Sequence, residues 1–287
     1  MVNGKVMEMK INKLSHSGLG IEITGIDLKK PLNKKNVATI RDLWLNYSVV
    51  VFPNQKLNHF EFESFSLNFG AYGDDPYLIP VDKNHPHIME IRREANEKTV
   101  LFGGTWHSDW SFQKNPPSAT LLHSKIIPPI GGDTLFCNNI RAYEDLPTKI
   151  KKKLSNLSSF HSAKEIYGDE GFYANESKDE GRSIKIKTSK DANKKISHPI
   201  VMKHSETGKK AIFVNPIYSV GIDKLSEKES NIILEELYDH IFQEKYIYRH
   251  KWEKNMLIIW DNRSVMHKVK GGFEGYRRLM HRITISG

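Results

Sequence analysis

Short apolar runs of strand length recur along this chain, separated by turn residues and by a few longer stretches with helical spacing. Residues 14–33 alternate apolar and polar positions and break at Gly18, Gly20 and Gly25, which predicts short strands. Val37, Ile40, Leu43 and Leu45 fall near a 3.6-residue period and predict a helix over 37–47. The run Val49-Val50-Val51-Phe52, stopped by Pro53, reads as a strand buried on both faces. A second helix is expected over 57–69, with Phe60, Phe62, Phe65 and Leu67 as its apolar side and Gly70 as its stop.

The same reading predicts strands over 87–93, 120–127, 134–137, 211–214, 256–260 and 279–285, and helices over 140–157 and 226–242. The stretch 164–198 is polar, rich in glycine and lysine and too long for an ordinary connection, so it predicts a lid or an insertion. Many short strands with helices set between them predict a mainly β fold of jelly-roll (double-stranded β-helix, cupin-like) type rather than a βαβ sheet. At 287 residues the expectation is one domain spanning 1–287.

Composition narrows the class without naming the chemistry. Hydrophobic residues make up 38% and charged residues 27%, the balance of a globular protein. No run approaches a membrane-spanning length and the N-terminus lacks the apolar core of a secretory signal, so the expected location is cytoplasmic. Cys137 has no partner cysteine and is expected to pack in a strand. The formal charge of +9 is compatible with an anionic small molecule or with nucleic acid. Its densest runs, 149–153 and 185–195, lack aromatic residues placed to stack bases and read as a solvated face.

His107 and Asp109 form a His-x-Asp pair, and on extended backbone residues two apart share a face and can reach one metal. His267, 158 residues after Asp109, is a third ligand or a surface histidine after a turn. Two imidazoles and one carboxylate leave three metal positions open, as in non-haem Fe(II) oxygenases. The same triad on Zn(II) would make a hydrolase, and a basic barrel without metal would bind nucleic acid. Near the C-terminus Arg278 and Arg282 share one strand face, where guanidinium forks suit carboxylate or sulfonate oxygens. Gly131-Gly132-Asp133-Thr134 is a glycine turn that ends in a hydroxyl donor.

Taken in order, Trp106-His107-Ser108-Asp109, Pro116-Pro117, Gly131-Gly132-Asp133-Thr134, Trp260-Asp261-Asn262-Arg263 with His267, and Arg277-Arg278-x-Met280-His281-Arg282 resemble the taurine dioxygenase family over roughly residues 10 to 287. That resemblance implies a double-stranded β-helix with Fe(II) on His107, Asp109 and His267. It implies 2-oxoglutarate as cosubstrate, its far carboxylate on Arg278 and Thr134, and O2 as oxidant. Substrate hydroxylation would then be coupled to release of succinate and CO2.

Arg282 matches the position that holds the substrate's anionic group. Asp75 falls where the family places a substrate-binding histidine, Gly103 replaces an asparagine, and Tyr77 is expected to line the pocket, which argues against taurine itself. An acid facing Arg282 across a pocket would suit a zwitterion, so the expected substrate is a small anionic or zwitterionic molecule. Family members often assemble as dimers or tetramers, which makes a homo-oligomer the expectation from resemblance. Trp106, Trp110 and Phe112 are expected to pack the barrel, and His123, His198 and His281 to be hydrogen-bonded structural histidines.

Overall fold

The computed structural model describes residues 9–176 and 181–287. Its largest sheet has seven strands in the order β1 (Lys10–Lys13), β2 (Ile21–Thr24), β3 (Val49–Phe52), β13 (Leu257–Asp261), β5 (Ala119–Ile126), β15 (Arg278–Ile285) and β4 (Met89–Arg93). The facing three-stranded sheet runs β12 (Ile247–His250), β6 (Thr134–Asn138), β14 (Val265–Val269). A further sheet orders β11 (Ser219–Ile222), β7 (Ser158–His161) and β8 (Ile196–Pro199), beside a hairpin of β9 (Val201–Lys203) and β10 (Lys210–Ile212). All ladders are antiparallel except β2 with β3. The helices are α1 (Lys34–Tyr47), α2 (His59–Ser66), α3 (Asn139–Glu144), α4 (Thr148–Leu154), α5 (Lys164–Tyr167), α6 (Phe172–Asn175) and α7 (Glu227–Ile241). This is the jelly-roll class that the strand pattern predicts.

Strand alternation divides the apolar residues into two layers. Val50, Phe52, Leu121, Ile259, Ile283 and Ile285 face outward and bury Ile40 and Trp44 of α1 with Phe62 and Phe65 of α2. Val49, Val51, Leu122, Ile258, Trp260 and Met280 face inward, against Phe136 and Val265 of the small sheet. Because Arg278, Met280 and Arg282 share parity on β15, both arginines enter the barrel and His281 faces the helices. The fully buried β3 has core on both faces, as its unbroken apolar run predicts.

Three expectations need correction. The helix foreseen over 140–157 is two helices, because Pro147 cannot donate the hydrogen bond that would continue α3 and disfavours helical geometry at Leu146; it opens α4 instead. Of the four apolar positions expected to face the core around α2, only Phe62 and Phe65 are buried, while Phe60 and Leu67 are 71% and 51% exposed. A short helix buries one stripe, and these two lie off it. Trp106 packs outside the barrel, stacked on Phe242 at 5.0 Å. Trp110 and Phe112 belong to a separate aromatic cluster, reached through a turn at Trp110 with φ of 45°. Among the described residues no helix is long and apolar enough to cross a membrane.

Candidate metal centre

His267 lies in the middle of β14 and is 7% exposed, so it is a buried strand residue and not a surface histidine after a turn. A two-way backbone exchange holds His107 opposite it: His107 N–H donates to the His267 carbonyl at 3.0 Å and receives the reverse bond at 2.8 Å. The two rings lie 4.3 Å apart by centroid. Asp109 Oδ1 stands 3.7 Å from His107 Nε2 and 3.9 Å from His267 Nε2. The three ligand atoms fall within 4.8 Å of one another, so this structure brings the sequence-predicted triad to one point.

The protonation states suit a cation. His107 Nδ1 lies 2.8 Å from the Thr105 carbonyl, which makes Nδ1 the donor and leaves the Nε2 lone pair for a ligand. Burial pulls the His267 imidazole down to about 3, with His107 pushing the same way, and burial also lowers His107. Burial pushes the Asp109 carboxyl up, but Arg282, His267, His107 and the Thr120 hydroxyl outweigh it and hold it below the usual carboxylate range. Two neutral imidazoles and a carboxylate with one side open fit Fe(II), and they leave room for a bidentate keto acid.

A chain of side chains that the sequence reading missed fixes the carboxylate. Thr120 donates to Asp109 Oδ2 at 2.6 Å, Asn262 Nδ2 donates to the Thr120 hydroxyl at 2.9 Å, and Trp260 Nε1 donates to Asn262 Oδ1 at 2.8 Å. The Trp-Asp-Asn-Arg run was the available signal, but only the fold brings it beside β5. The neighbouring Asp261 takes bonds from His204 and Arg263 and ties down the same turn.

A cleft runs from the triad toward the far end of β15, lined by His107, His267, Leu122, Thr134, Arg278 and Arg282. Arg278 is 5% exposed, and its Nε and Nη2 have no hydrogen-bond partner among the described residues. Burial without an anion pulls its guanidinium down to about 10. An unpaired buried cation at the end of a cleft is the group an anionic ligand would satisfy. Thr134 accepts from Trp252 Nε1 at 2.9 Å, so its own hydroxyl hydrogen is free to point elsewhere. Gly132 lies against Arg278 with φ of 72°, where a side chain would crowd the guanidinium.

Arg282 sits between two carboxylates, 3.3 Å from Asp109 Oδ1 and 3.2 Å from Asp75 Oδ1. Its Nε and Nη2 still lack hydrogen bonds of good geometry. Asp75 does not face Arg282 across a pocket; it touches it, and also accepts from Trp110 Nε1 at 2.7 Å and the Thr284 hydroxyl at 2.8 Å. Burial raises the Asp75 carboxyl in spite of those partners. Tyr77 is 4% exposed and stacks on Tyr167 at 4.4 Å, behind the wall of the cavity beside the triad. That cavity, of ≈ 160 Å³, opens over His107 and Asp109 and is walled by Phe102, Tyr167, Phe172, Tyr173 and Tyr218 around Arg282. Nothing in the hydrophobic period of 164–175 marks Tyr167, Phe172 and Tyr173 as a cavity wall; their clustering in a polar stretch was the only hint.

The family model described as "Taurine catabolism dioxygenase TauD, TfdA family" matches residues 10–284. An alkylsulfatase of Acinetobacter baylyi is 29% identical over 289 residues, covering 100% of this chain and 87% of the relative. An alpha-ketoglutarate-dependent 2,4-dichlorophenoxyacetate dioxygenase of Cupriavidus pinatubonensis is 28% identical, covering 91% of this chain and 92% of the relative. Among solved structures, a taurine dioxygenase from Burkholderia xenovorans superposes with a TM-score of 0.78 at 28% identity, covering 97% of this chain and 89% of that one.

Proposed function

This chain belongs to the taurine catabolism dioxygenase (TauD, TfdA) family and is a 2-oxoglutarate-dependent dioxygenase that uses Fe(II) and O2, and from that premise we propose which residues carry the reaction and what kind of substrate it acts on. His107, Asp109 and His267 hold the iron. Arg278 and the Thr134 hydroxyl hold the far carboxylate of 2-oxoglutarate. When bound, iron and cosubstrate supply, with O2, the oxidant that hydroxylates a substrate C–H bond while 2-oxoglutarate is decarboxylated to succinate and CO2. The zinc-hydrolase and nucleic-acid alternatives fall with the family assignment.

The protein's own part is placement and exclusion of water. Trp260, Asn262 and Thr120 orient the Asp109 carboxylate. The Thr105 carbonyl fixes the His107 tautomer. Arg278 replaces the hydration of a carboxylate with a guanidinium that has no competing acid among the described residues. The aromatic wall keeps the reacting C–H bond in a dry cavity.

The substrate is an organic anion with a substantial apolar body, its charged end on Arg282. The observation that carries this is the combination of one cation and an aromatic wall in a single cavity. Asp75 is already engaged by Arg282, Trp110 and Thr284, so a substrate ammonium would find no unspent acid there, whereas Arg282, though it touches two carboxylates, keeps N–H groups without hydrogen bonds among the described residues; the zwitterionic option is dropped. Two relatives carry an alkyl sulfate and an aryloxyacetate in their names, and both ligands pair an anion with an apolar body.

Two measurements test the reading. Anaerobic protein given Fe(II) and then 2-oxoglutarate should develop a visible charge-transfer band that Arg278→Ala weakens at equal cosubstrate. A band of unchanged strength in the variant would remove Arg278 from its role. Succinate formation across a medium-chain alkyl sulfate, an aryloxyacetate and taurine should favour the apolar-bodied anions by about tenfold or more in kcat/KM, the burial of a few methylenes. Equal or better turnover of taurine would overturn the substrate proposal.

A further inference from the structure

Among the described residues, two groups of histidine and carboxylate bring three ligand atoms within 4.8 Å of one another: the triad above, and His59, Asp82 and His85. The second group lies on the opposite face of the seven-stranded sheet. His281, pointing outward where Arg282 points inward, meets the His59 ring at a centroid distance of 5.0 Å. Nothing in the reaction described above uses these residues.

Two rigid pieces of backbone present them. His59 is the first residue of α2, held by a capping box in which Asn58 and Glu61 exchange hydrogen bonds. Asp82 and His85 sit in a turn closed by Val81 N–H donating to the Ile88 carbonyl at 2.8 Å and His85 N–H donating to the Asp82 carbonyl at 3.3 Å. That turn feeds directly into β4, the strand paired with β15.

The donor chemistry is that of a ligand set. His85 Nδ1 lies 2.8 Å from Glu63 Oε2, and the two side chains are 8% and 14% exposed. A carboxylate holding one imidazole nitrogen leaves the other nitrogen's lone pair for a metal, the arrangement that orients histidine ligands. Asp82 Oδ1 accepts from Asn84 N–H at 2.6 Å, which leaves Oδ2 unspent. The His59 and His85 rings stand edge to face at 4.7 Å, close to the 4.3 Å between His107 and His267. Asp82 and Glu63 bring negative charge to the group, opposed by the ammonium of Lys125, whose Nζ is bonded to the Leu57 carbonyl at 2.8 Å. Phe60, exposed on α2, covers the His85 ring at 4.6 Å and gives the group an apolar rim.

We propose that His59, Asp82 and His85 form a second metal site, for a borderline divalent ion of the zinc type, separate from the oxygen-activating centre. Two imidazoles and one carboxylate with a water would complete tetrahedral coordination. The ion ties α2 to the turn at 81–88, and so braces the stretch of chain between Asp75 and β4. Its role is structural support behind the active-site sheet.

The test is Zn(II) stoichiometry on the tag-free full chain, measured by elemental analysis after gel filtration, in four proteins. Wild type is expected to retain two equivalents, His107→Ala one, His59→Gln one, and the double variant none. In the His107→Ala background, Zn(II) at a hundredfold excess over Kd should raise Tm by about 5 °C, and Asp82→Asn, an exposed change that spares the fold, should abolish that shift. Two equivalents retained by His59→Gln, or an undiminished shift in Asp82→Asn, would overturn the site. A failure of the iron triad reads differently: wild type and His107→Ala would then each hold one equivalent, and His59→Gln none.

Discussion

Thr120 carries no chemistry of its own, yet it decides where the Asp109 carboxylate points. It donates at 2.6 Å to the oxygen that does not face the histidines and is itself held by Asn262. Thr120→Val keeps the shape and removes the donor, and the expected result is a loss of about 10- to 100-fold in Fe(II) affinity with Tm little changed. Competition against a calibrated chelator measures it; equal affinities would show that Asp109 is oriented by other contacts. At this scale the sequence was informative about residue types and spacing. His107, Asp109 and His267 could be nominated from donor chemistry, and Arg278 from its place on the last strand. The resemblance set Asp75 opposite Arg282 across a pocket, but their direct contact was not legible, because 207 residues separate two side chains whose distance depends on where β15 lies.

At the scale of elements, the stretch 164–198 shows what periodicity misses. Residues 177–180 of that expected lid lie outside the described residues, but α5 and α6 are short helices whose Ile166, Tyr167, Phe172 and Tyr173 wall the cavity. A four-residue helix has too few turns to display a hydrophobic period, so a segment held by tertiary contacts reads as loop. We propose that α5 and α6, with the described stretch 181–198, close over bound substrate. With Fe(II), 2-oxoglutarate and an alkyl sulfate bound without O2, tryptic cleavage at Lys185, Lys187 or Lys190 should slow several-fold; the same cleavage rate with and without ligands would show that the segment does not respond. The strands were easier to find than the helices. An antiparallel strand buried on one or both faces writes its pattern locally, whereas Phe60 and Phe62 are equally apolar and only the packing of α2 assigns one to solvent and one to core.

The whole molecule carries its positive charge beside a set of buried neutral histidines, and this sets how its stability responds to pH. Burial pulls His123 from 6.5 to about 4, and His161 and His250 to about 3. Their folded values lie below the unfolded value, so the unfolded chain binds the extra protons. The stability they contribute is complete above pH 6.5 and is lost as pH falls toward 4, by about 1.4 kcal/mol per pH unit for each histidine. The urea midpoint should be flat above pH 7 and fall steeply between 6.5 and 4.5, and His123→Gln should make that fall shallower by about one proton; an unchanged slope would mean His123 is protonated in the folded state. The sequence by itself determined the strand-rich class, the donor types and the order of the motifs, because alternation, turn residues and ligand chemistry are local properties of the chain. Only the tertiary structure decided that His267 faces His107 across a β-bridge, that Asp75 is spent on Arg282, and that aromatics from a polar stretch wall the cavity. Those are contacts between distant segments, and their energies come from burial and pairing that exist only once the two sheets and the helical layer have packed.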